Sequence, residues 1–114
     1  MKNRPFLERF QFACNGIKSA FRSEASFRFQ TLAAVLAYSF LGVSKAPAIW
    51  WALFSLVIAG VLACELINTA IEHLMDHFHP QYHEAICVAK DCLAGAVLVF
   101  SIAALLVLVC FLIA

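Results

Sequence analysis

The stretch "CELINTAIEHLMDHFH", residues 64–79, places three carboxylates within twelve residues of a hydrophobic chain. Glu65, Glu72 and Asp76 stand at positions i, i+7 and i+11, so a helix brings them within roughly 40° of one another. Asn68 then lies about 60° to one side of the same face. The segment before them, "WWALFSLVIAGVLAC", carries no charge. A polar stripe therefore begins where a hydrophobic helix ends, and it requires an explanation.

The composition predicts that this helix lies in a membrane. The 114 residues are 64% hydrophobic and have a mean hydropathy of +0.90. Soluble proteins have about 45–50% apolar residues, and a small domain leaves much of its surface in water. We therefore predict one membrane-embedded domain, 1–114. The five cysteines form no CxxC pattern, which argues against zinc or a disulfide framework.

Three apolar segments are candidate membrane spans. The first covers about 29–43 if Arg28 extends toward the lipid headgroups, the second covers 46–64 and continues as a helix to about 78, and the third covers 92–114. The turn "GVSKAP" separates the first two spans. The first apolar run begins after about thirty mostly polar or amphipathic residues, so a cleaved signal peptide is not expected. The predicted fold is an all-α integral membrane protein.

The first 28 residues predict an amphipathic helix on the membrane surface. Phe6, Phe10, Ile17 and Phe21 recur at helical spacing, and the basic side chains fall largely elsewhere. This pattern is typical of a helix that lies in the interface with its cations toward anionic headgroups. The fold therefore has three transmembrane helices and an N-terminal surface helix.

The basic residues also predict the orientation in a bacterial inner membrane. Six of the eight lysines and arginines precede residue 30, which places the N-terminus in the cytoplasm by the positive-inside rule. All the acids except Glu8 and Glu84 then gather at the inner membrane boundary. The stripe that begins at Glu65 faces the compartment that holds ATP.

Carboxylates beside lipid are functional candidates, because they are costly unless they pair or bind a cation. Mg²⁺ takes one or two carboxylates together with phosphate oxygens, and phosphoryl transfer needs such an ion and a proton acceptor. Glu24 and Glu72 are candidate metal ligands, Lys90 is a candidate phosphate contact, and Glu65 is the candidate base. The alternative is that the acids only solvate helix ends or pair with cations, namely Arg22, Arg28 and Lys90.

The segments "CELINTAIEHLMD" and "YHEAICVAKDCLAGAVLV" closely resemble the signature of the prokaryotic diacylglycerol kinase and undecaprenol kinase family. The stretch "SEASFR", 23–28, resembles the short acidic motif that precedes the first span in that family. The resemblance extends from about residue 9 to the end of the chain. The details "NTAIEH" and "AGAVLV" look more like the undecaprenol kinase branch.

The resemblance implies a role for each matching residue. Glu65 matches the catalytic carboxylate that accepts the proton of the lipid hydroxyl, and Glu24 and Glu72 match the ligands of the magnesium ion that bridges the ATP phosphates. The nucleotide site is implied by further matches, at Asn68, Asp76, Gln81, Tyr82, His83, Lys90 and Asp91. The family also implies a homotrimer whose active sites are shared between subunits. In one such arrangement, Glu24 of one chain completes the site built on Glu65 and Glu72 of another.

The sequence leaves two classes of function open. The first is ATP-dependent phosphorylation of a membrane lipid alcohol, either diacylglycerol or undecaprenol, with no nucleic acid as a partner. The second is a non-catalytic membrane scaffold or a cation-binding or transport protein, although the apolar spans offer almost no polar residues for a pore. The histidines at 73, 77, 79 and 83 have spacings that can bind transition metals, but Pro80 interrupts the helix between them. We therefore expect them at the surface.

Overall fold

The computed structural model describes residues 3–114 and has four helices, with no strand in that range. These are α1 (Phe6–Ser23), α2 (Ala25–Val43), α3 (Ala48–Phe78) and α4 (Glu84–Ile113). By length and composition, α2, α3 and α4 can each cross a membrane. The predicted all-α membrane fold is confirmed.

The surface helix is shorter than the predicted 1–28. Residues 1 and 2 of that prediction lie outside the described residues, and α1 begins at Phe6 after Pro5. The helix ends at Ser23, since Glu24 has an extended backbone (φ −119°, ψ 113°) and α2 begins at the next residue. The four residues 25–28 therefore belong to the first membrane helix. The apolar side chains of α1 are exposed, among them Phe6 at 74% and Phe10 at 59%, as an interfacial helix requires.

A narrow stripe of buried residues joins α2 to α3. Phe27, Ala34 and Leu41 are buried at intervals of seven residues, so they lie on one side of α2, and Ala20 is buried near the end of α1. On α3 the stripe begins with Phe54 and Val61 and continues at intervals of four with Glu65 and Thr69. Glu65 therefore occupies a packing position on α3 rather than a position toward lipid.

Aromatic rings close the end of the bundle opposite the acids. The ring of Phe111 on α4 meets three rings edge-on, with centroid distances of 5.7 Å to Phe40, 5.3 Å to Trp50 and 6.0 Å to Phe54. Between α2 and α3, the Tyr38 hydroxyl and the Ser55 hydroxyl share a 2.8 Å hydrogen bond. Each aromatic ring pair of Phe111 contributes about 0.5–1.5 kcal/mol beyond the area that it buries. They fasten α4 to both of its neighbours at this end.

The turn from α2 to α3 is a helix C-cap in which a lysine takes the position usually held by glycine. Lys45 has a positive φ of 53°, its N–H donates to the Gly42 carbonyl, and the Ala46 N–H donates to the Leu41 carbonyl. This pattern is a Schellman motif. Pro47 follows and opens α3, so the turn predicted at 42–47 is present as a tight helical hairpin.

Gly60 allows α4 to pack closely against α3. A Cβ atom at this position would overlap the ring of Phe100, whereas a Cβ atom at Gly95 would meet no atom within 4 Å. The Gly60 backbone is therefore in direct contact with the next helix of the same chain. Gly95 leaves an open face on α4, a helix without a buried residue.

We expect Gly60→Ala to destabilise the protein by about 1–3 kcal/mol, because the added methyl group displaces the Phe100 ring. Gly95→Ala is the matched control, since it adds the same methyl group to a helix where space is open. The measurement is unfolding of the purified protein in detergent, followed by circular dichroism. Equal stability of the two variants would contradict the close contact between α3 and α4.

Candidate active site

Glu24 forms the corner between α1 and α2, and its side chain is free of a capping role. Its backbone N–H donates to the Ala20 carbonyl at 2.9 Å, and its carbonyl accepts from the Arg28 N–H at 3.2 Å. The backbone thus closes the last turn of α1 and opens the first turn of α2, while the carboxylate caps neither helix. The carboxylate instead lies 3.9 Å from Nε2 of His73 on α3. A residue from the N-terminal part of the chain therefore reaches the acidic part of α3.

Arg28 holds this corner together. Its Nη1 donates to the carbonyls of Phe21 at 2.7 Å and Arg22 at 3.0 Å, both in the last turn of α1. Helix C-termini have unpaired carbonyls and a partial negative charge, so a guanidinium stabilises them. The sequence led us to expect Arg28 to extend toward lipid headgroups. The structure shows that its guanidinium turns back onto α1, because the corner at Glu24 brings those carbonyls within reach.

Glu65 is the most buried acid of the stripe, with an exposed fraction of 5%. The two charges that act on its carboxylate are those of Glu24 and Glu72. Among residues 3–114, no lysine, arginine or histidine lies within ion-pair distance of it. A buried carboxylate without a cation costs several kcal/mol, on the order of the whole stability of a small protein. Its position is therefore poorly explained by stability alone.

Asn68 provides a second unpaired group on the same stretch of α3. Its Oδ1 is buried and has no hydrogen-bond partner among the described residues. Leaving such an acceptor unpaired costs about 1–3 kcal/mol. Thr69, one residue further on, is satisfied, since its hydroxyl donates to the Glu65 carbonyl at 2.9 Å. The unpaired oxygen of Asn68 leaves room for a donor or a cation that residues 3–114 of one chain do not supply.

Asp76 and Lys90 connect α3 to α4 at the acidic end of the bundle. Nζ of Lys90 donates to Oδ1 of Asp76 at 3.0 Å, and the aspartate side chain is 70% exposed. An ion pair this exposed is weak, with a typical contribution of about 0–1 kcal/mol. Asp91, the next residue of α4, is exposed. The pair fixes the distance between the two helices, and its weakness leaves the lysine available to another anion.

The connector between α3 and α4 carries three of the predicted nucleotide contacts. Gln81, Tyr82 and His83 are exposed, Tyr82 to 81%. Nδ1 of His83 accepts the Ala85 N–H at 3.1 Å and so caps α4, which puts the proton of neutral His83 on Nε2. Within the described residues, none of these three side chains forms a hydrogen bond with the acids of α3. The structure therefore shows no direct contact between these three side chains and the acids.

The oxygen ligands present fit a magnesium ion. Two carboxylates, Glu24 and Glu72, come from different elements and both act on Glu65, and the Asn68 carbonyl oxygen nearby lacks a partner. Over residues 3–114, no group of three or more His, Cys, Asp and Glu side chains is arranged to hold a metal. Mg²⁺ usually takes one or two carboxylates and completes its shell with waters and substrate phosphates, so two carboxylates and an amide oxygen are ligands of the type it takes.

The alternative, in which the acids only pair with nearby cations, explains the position of one acid. Arg28 bonds backbone carbonyls, and Arg22 forms no ion pair among the described residues, so of the three cations considered only Lys90 pairs with an acid. Two residues of this region make contacts that were not predicted from the sequence. They are Arg28 at the corner and His73 beside Glu24, and neither spacing nor residue type distinguishes them from ordinary surface side chains.

Comparison with known proteins identifies the family. Residues 11–112 match the family profile described as prokaryotic diacylglycerol kinase. The chain is 38% identical over 102 residues to a diacylglycerol kinase of Synechocystis, a match that covers 89% of this chain and 58% of the relative. It is 39% identical over 99 residues to the undecaprenol kinase of Bacillus subtilis, covering 85% and 79%. It is 32% identical over 95 residues to a diacylglycerol kinase of Escherichia coli, covering 83% and 78%.

These matches include all three of the helices that can cross a membrane. The chain spans little more than half of the Synechocystis relative, at 58% of its length, and about four fifths of the other two. The profile match includes α2, α3, nearly all of α4 and the corner at Glu24. The chain belongs to the prokaryotic diacylglycerol kinase family of membrane lipid kinases.

Proposed function

We propose that the protein transfers the γ-phosphoryl group of ATP to the hydroxyl of a membrane lipid alcohol at the cytoplasmic face of the bacterial inner membrane. One observation carries the proposal. Glu24, Glu65 and Glu72 come from two separate elements, interact at one end of a hydrophobic bundle, and form no ion pair with a lysine or arginine among the described residues. Uncompensated charges at a lipid boundary favour a site that receives a cation and a substrate.

Glu65 is the proposed general base. It is the most buried of the acids and lies on the packing face of α3, so in this proposal the lipid hydroxyl enters between the helices to reach it. In the reaction, a carboxylate oxygen of Glu65 accepts the hydroxyl proton while the lipid oxygen bonds to the γ-phosphorus. The bond between that phosphorus and the ADP oxygen breaks, and ADP leaves. Because Glu65 has no cation partner in residues 3–114, its charge remains available for the proton.

Glu24 and Glu72 are the proposed ligands of the magnesium ion. When bound, Mg²⁺ neutralises the phosphate oxygens and so lowers the barrier to attack by an oxygen nucleophile. The protein's part is to hold the two carboxylates, one on the α1–α2 corner and one on α3, on the same side of the bundle. The Glu24–His73 contact and the influence of both acids on Glu65 support that assignment.

The remaining predicted residues suit the nucleotide. Lys90 supplies the positive charge for the phosphates, and its exposed partner Asp76 holds the ammonium on the side of α4 that faces α3. Asn68 offers an unpaired oxygen in the same region. The exposed connector completes the proposed ATP site, with Gln81, Tyr82 and His83 on the connector and Asp91 on the following helix.

The acceptor is proposed to be undecaprenol or diacylglycerol. Both carry a hydroxyl on a large hydrocarbon body, and the names of the relatives include both activities. The two details of sequence that resemble the undecaprenol branch favour undecaprenol. Both alcohols reach Glu65 from the membrane, so the proposed base and metal ligands serve either one.

The alternative of a non-catalytic scaffold or cation pathway has less support. A pore needs polar side chains through the depth of the membrane, yet the only hydrogen-bonded polar pair between α2 and α3 in the described chain is Tyr38 with Ser55. The acids are confined to one end. That distribution favours a site over a pathway.

We propose that the protein works as a homotrimer with its N-terminus in the cytoplasm. Exposed apolar side chains cover α4, which has no buried residue, and Gly95 offers space for a neighbouring helix. Gly60, a second small residue in a membrane helix, instead packs against the Phe100 ring of its own chain. Glu24 also lies beside α3 of its own chain, which favours sites whose three acids come from one subunit. A neighbouring subunit then contributes other groups to a shared site.

Glu65→Gln tests the base. The amide keeps the shape of the side chain and cannot accept the proton, so we expect phosphoryl transfer to fall by about 10²–10⁴-fold. The rate of labelled lipid phosphate formation from ATP is the measurement, and Glu84→Gln at the start of α4 is the control acid. Near-normal turnover of Glu65→Gln, with assembly unchanged, removes Glu65 from this role.

Glu24→Gln and Glu72→Gln test the metal ligands. Each variant should raise the Mg²⁺ concentration that gives half the maximal rate, because one of two anionic ligands is lost. The titration is made at saturating ATP, again beside Glu84→Gln. A lower maximal rate with an unchanged Mg²⁺ requirement would show that the carboxylate acts in some other step.

Mixed oligomers test whether the three acids belong to one subunit. Co-assembly of Glu24→Gln with Glu65→Gln chains should give no active site when both acids act within a single chain, because every site then lacks one of them. Activity of affinity-purified mixed oligomers is the measurement, with wild-type and Glu65→Gln mixtures as the positive control. Recovery of activity would mean that Glu24 completes the site of a neighbouring chain.

A further inference from the structure

The carboxylate of Glu24 sits on a single-residue corner. One residue with an extended backbone separates an 18-residue helix from a 19-residue helix, and both of its backbone groups are already used by those helices. Small rotations of α1 relative to α2 therefore displace the Glu24 side chain directly. Whatever fixes the angle at this corner also fixes where the carboxylate points.

Few contacts restrain α1, because most of its apolar side chains are exposed and Ala20 is its one buried residue in the described chain. Two contacts tie its C-terminal end to α2. Phe21 meets the buried ring of Phe27 edge-on at 6.4 Å, and Nη1 of Arg28 bonds the carbonyls of Phe21 and Arg22. A ring pair permits sliding and tilting. The paired hydrogen bonds to two successive carbonyls restrain direction as well as distance.

We propose that Arg28 is a positioning residue, which fixes the α1–α2 corner so that Glu24 presents its carboxylate to a divalent cation beside α3. The inference rests on the proposed function of Glu24 as a metal ligand. Arg28 itself lies one helical turn beyond Glu24 and contacts backbone oxygens, so it acts through the corner and not on the ion. Its charge also offsets the negative end of α1, which would otherwise lie next to the anionic site.

Arg28→Gln tests the proposal. Residues that orient metal ligands typically change metal affinity by about 10–100-fold when replaced, so the half-saturating Mg²⁺ concentration should rise by a factor in that range. The maximal rate at saturating Mg²⁺ should change much less. Arg28→Lys keeps a cation at the carbonyls and should recover part of the affinity. Arg22→Gln is the matched control, because it removes a guanidinium from the same corner that forms no hydrogen bond or ion pair among residues 3–114.

Two measurements without turnover accompany the kinetics. Amide hydrogen exchange of Glu24, whose N–H bonds the Ala20 carbonyl, should accelerate in Arg28→Gln in the absence of nucleotide. The Mg²⁺ concentration needed for thermal stabilisation by ATP should rise in parallel with the kinetic requirement. Faster exchange with an unchanged Mg²⁺ midpoint would overturn the proposal, since the corner would then be loosened without consequence for the ion. Unchanged exchange would overturn it as well.

The double variant separates this proposal from the one it rests on. In a Glu24→Gln background, Arg28→Gln should add no further rise in the Mg²⁺ midpoint of thermal stabilisation, whereas a general structural role would add its own effect. An unchanged midpoint in Glu24→Gln alone would instead disprove the metal assignment of Glu24. If Arg28→Gln fails to assemble, the Mg²⁺ midpoint of thermal stabilisation is measured in Arg28→Lys instead. A midpoint equal to that of the wild type, together with faster amide exchange at Glu24, contradicts the proposal.

Discussion

The buried carboxylate of Glu65 is the constraint on which the rest of the structure depends. The buried stripe of α3 runs through Phe54 and Val61, and its next position is an acid at 5% exposure. Hydrophobic packing against α2 and α4 fixes the direction of that stripe, so the bundle holds the carboxylate toward its own interior. The cost of several kcal/mol for an unpaired buried charge is offset by apolar contacts elsewhere in the bundle. Stability alone does not explain an acid at this position.

Different contacts hold the helices together at the two ends of the bundle. Opposite the acids, rings around Phe111 fasten α4 through apolar contacts. At the acidic end the ties are polar and weaker, namely the exposed pair of Lys90 with Asp76 and the 3.9 Å contact of Glu24 with His73. One end held by aromatic rings and one held by polar ties suit a site that has to admit a nucleotide, an ion and a lipid hydroxyl, because the polar ties can exchange for ligand contacts.

Much of this arrangement follows from the sequence. Hydropathy and length predicted the three membrane helices, and helical spacing placed Glu65, Glu72 and Asp76 on one face. The family resemblance supplied the roles. The sequence did not predict that Glu24 is the single residue between two helices, because "AFRSEASFR" contains neither glycine nor proline and continues a helical pattern through the break. It also did not predict that Arg28 donates to the carbonyls at the end of α1, or that the Phe100 ring packs against Gly60. Both contacts depend on how the helices cross rather than on the pattern along either helix.

The account requires that one end of this bundle perform phosphoryl transfer to a lipid, and a direct assay of the purified wild-type protein tests this most closely. The protein is reconstituted in vesicles that contain undecaprenol and diacylglycerol together, and ATP labelled in the γ-phosphate is added with Mg²⁺. Mass spectrometry then identifies which lipid carries the label. The account predicts a labelled lipid monophosphate that forms only when Mg²⁺ is present, from undecaprenol, from diacylglycerol or from both. Absence of label from both alcohols, in protein that is folded and assembled, would contradict it.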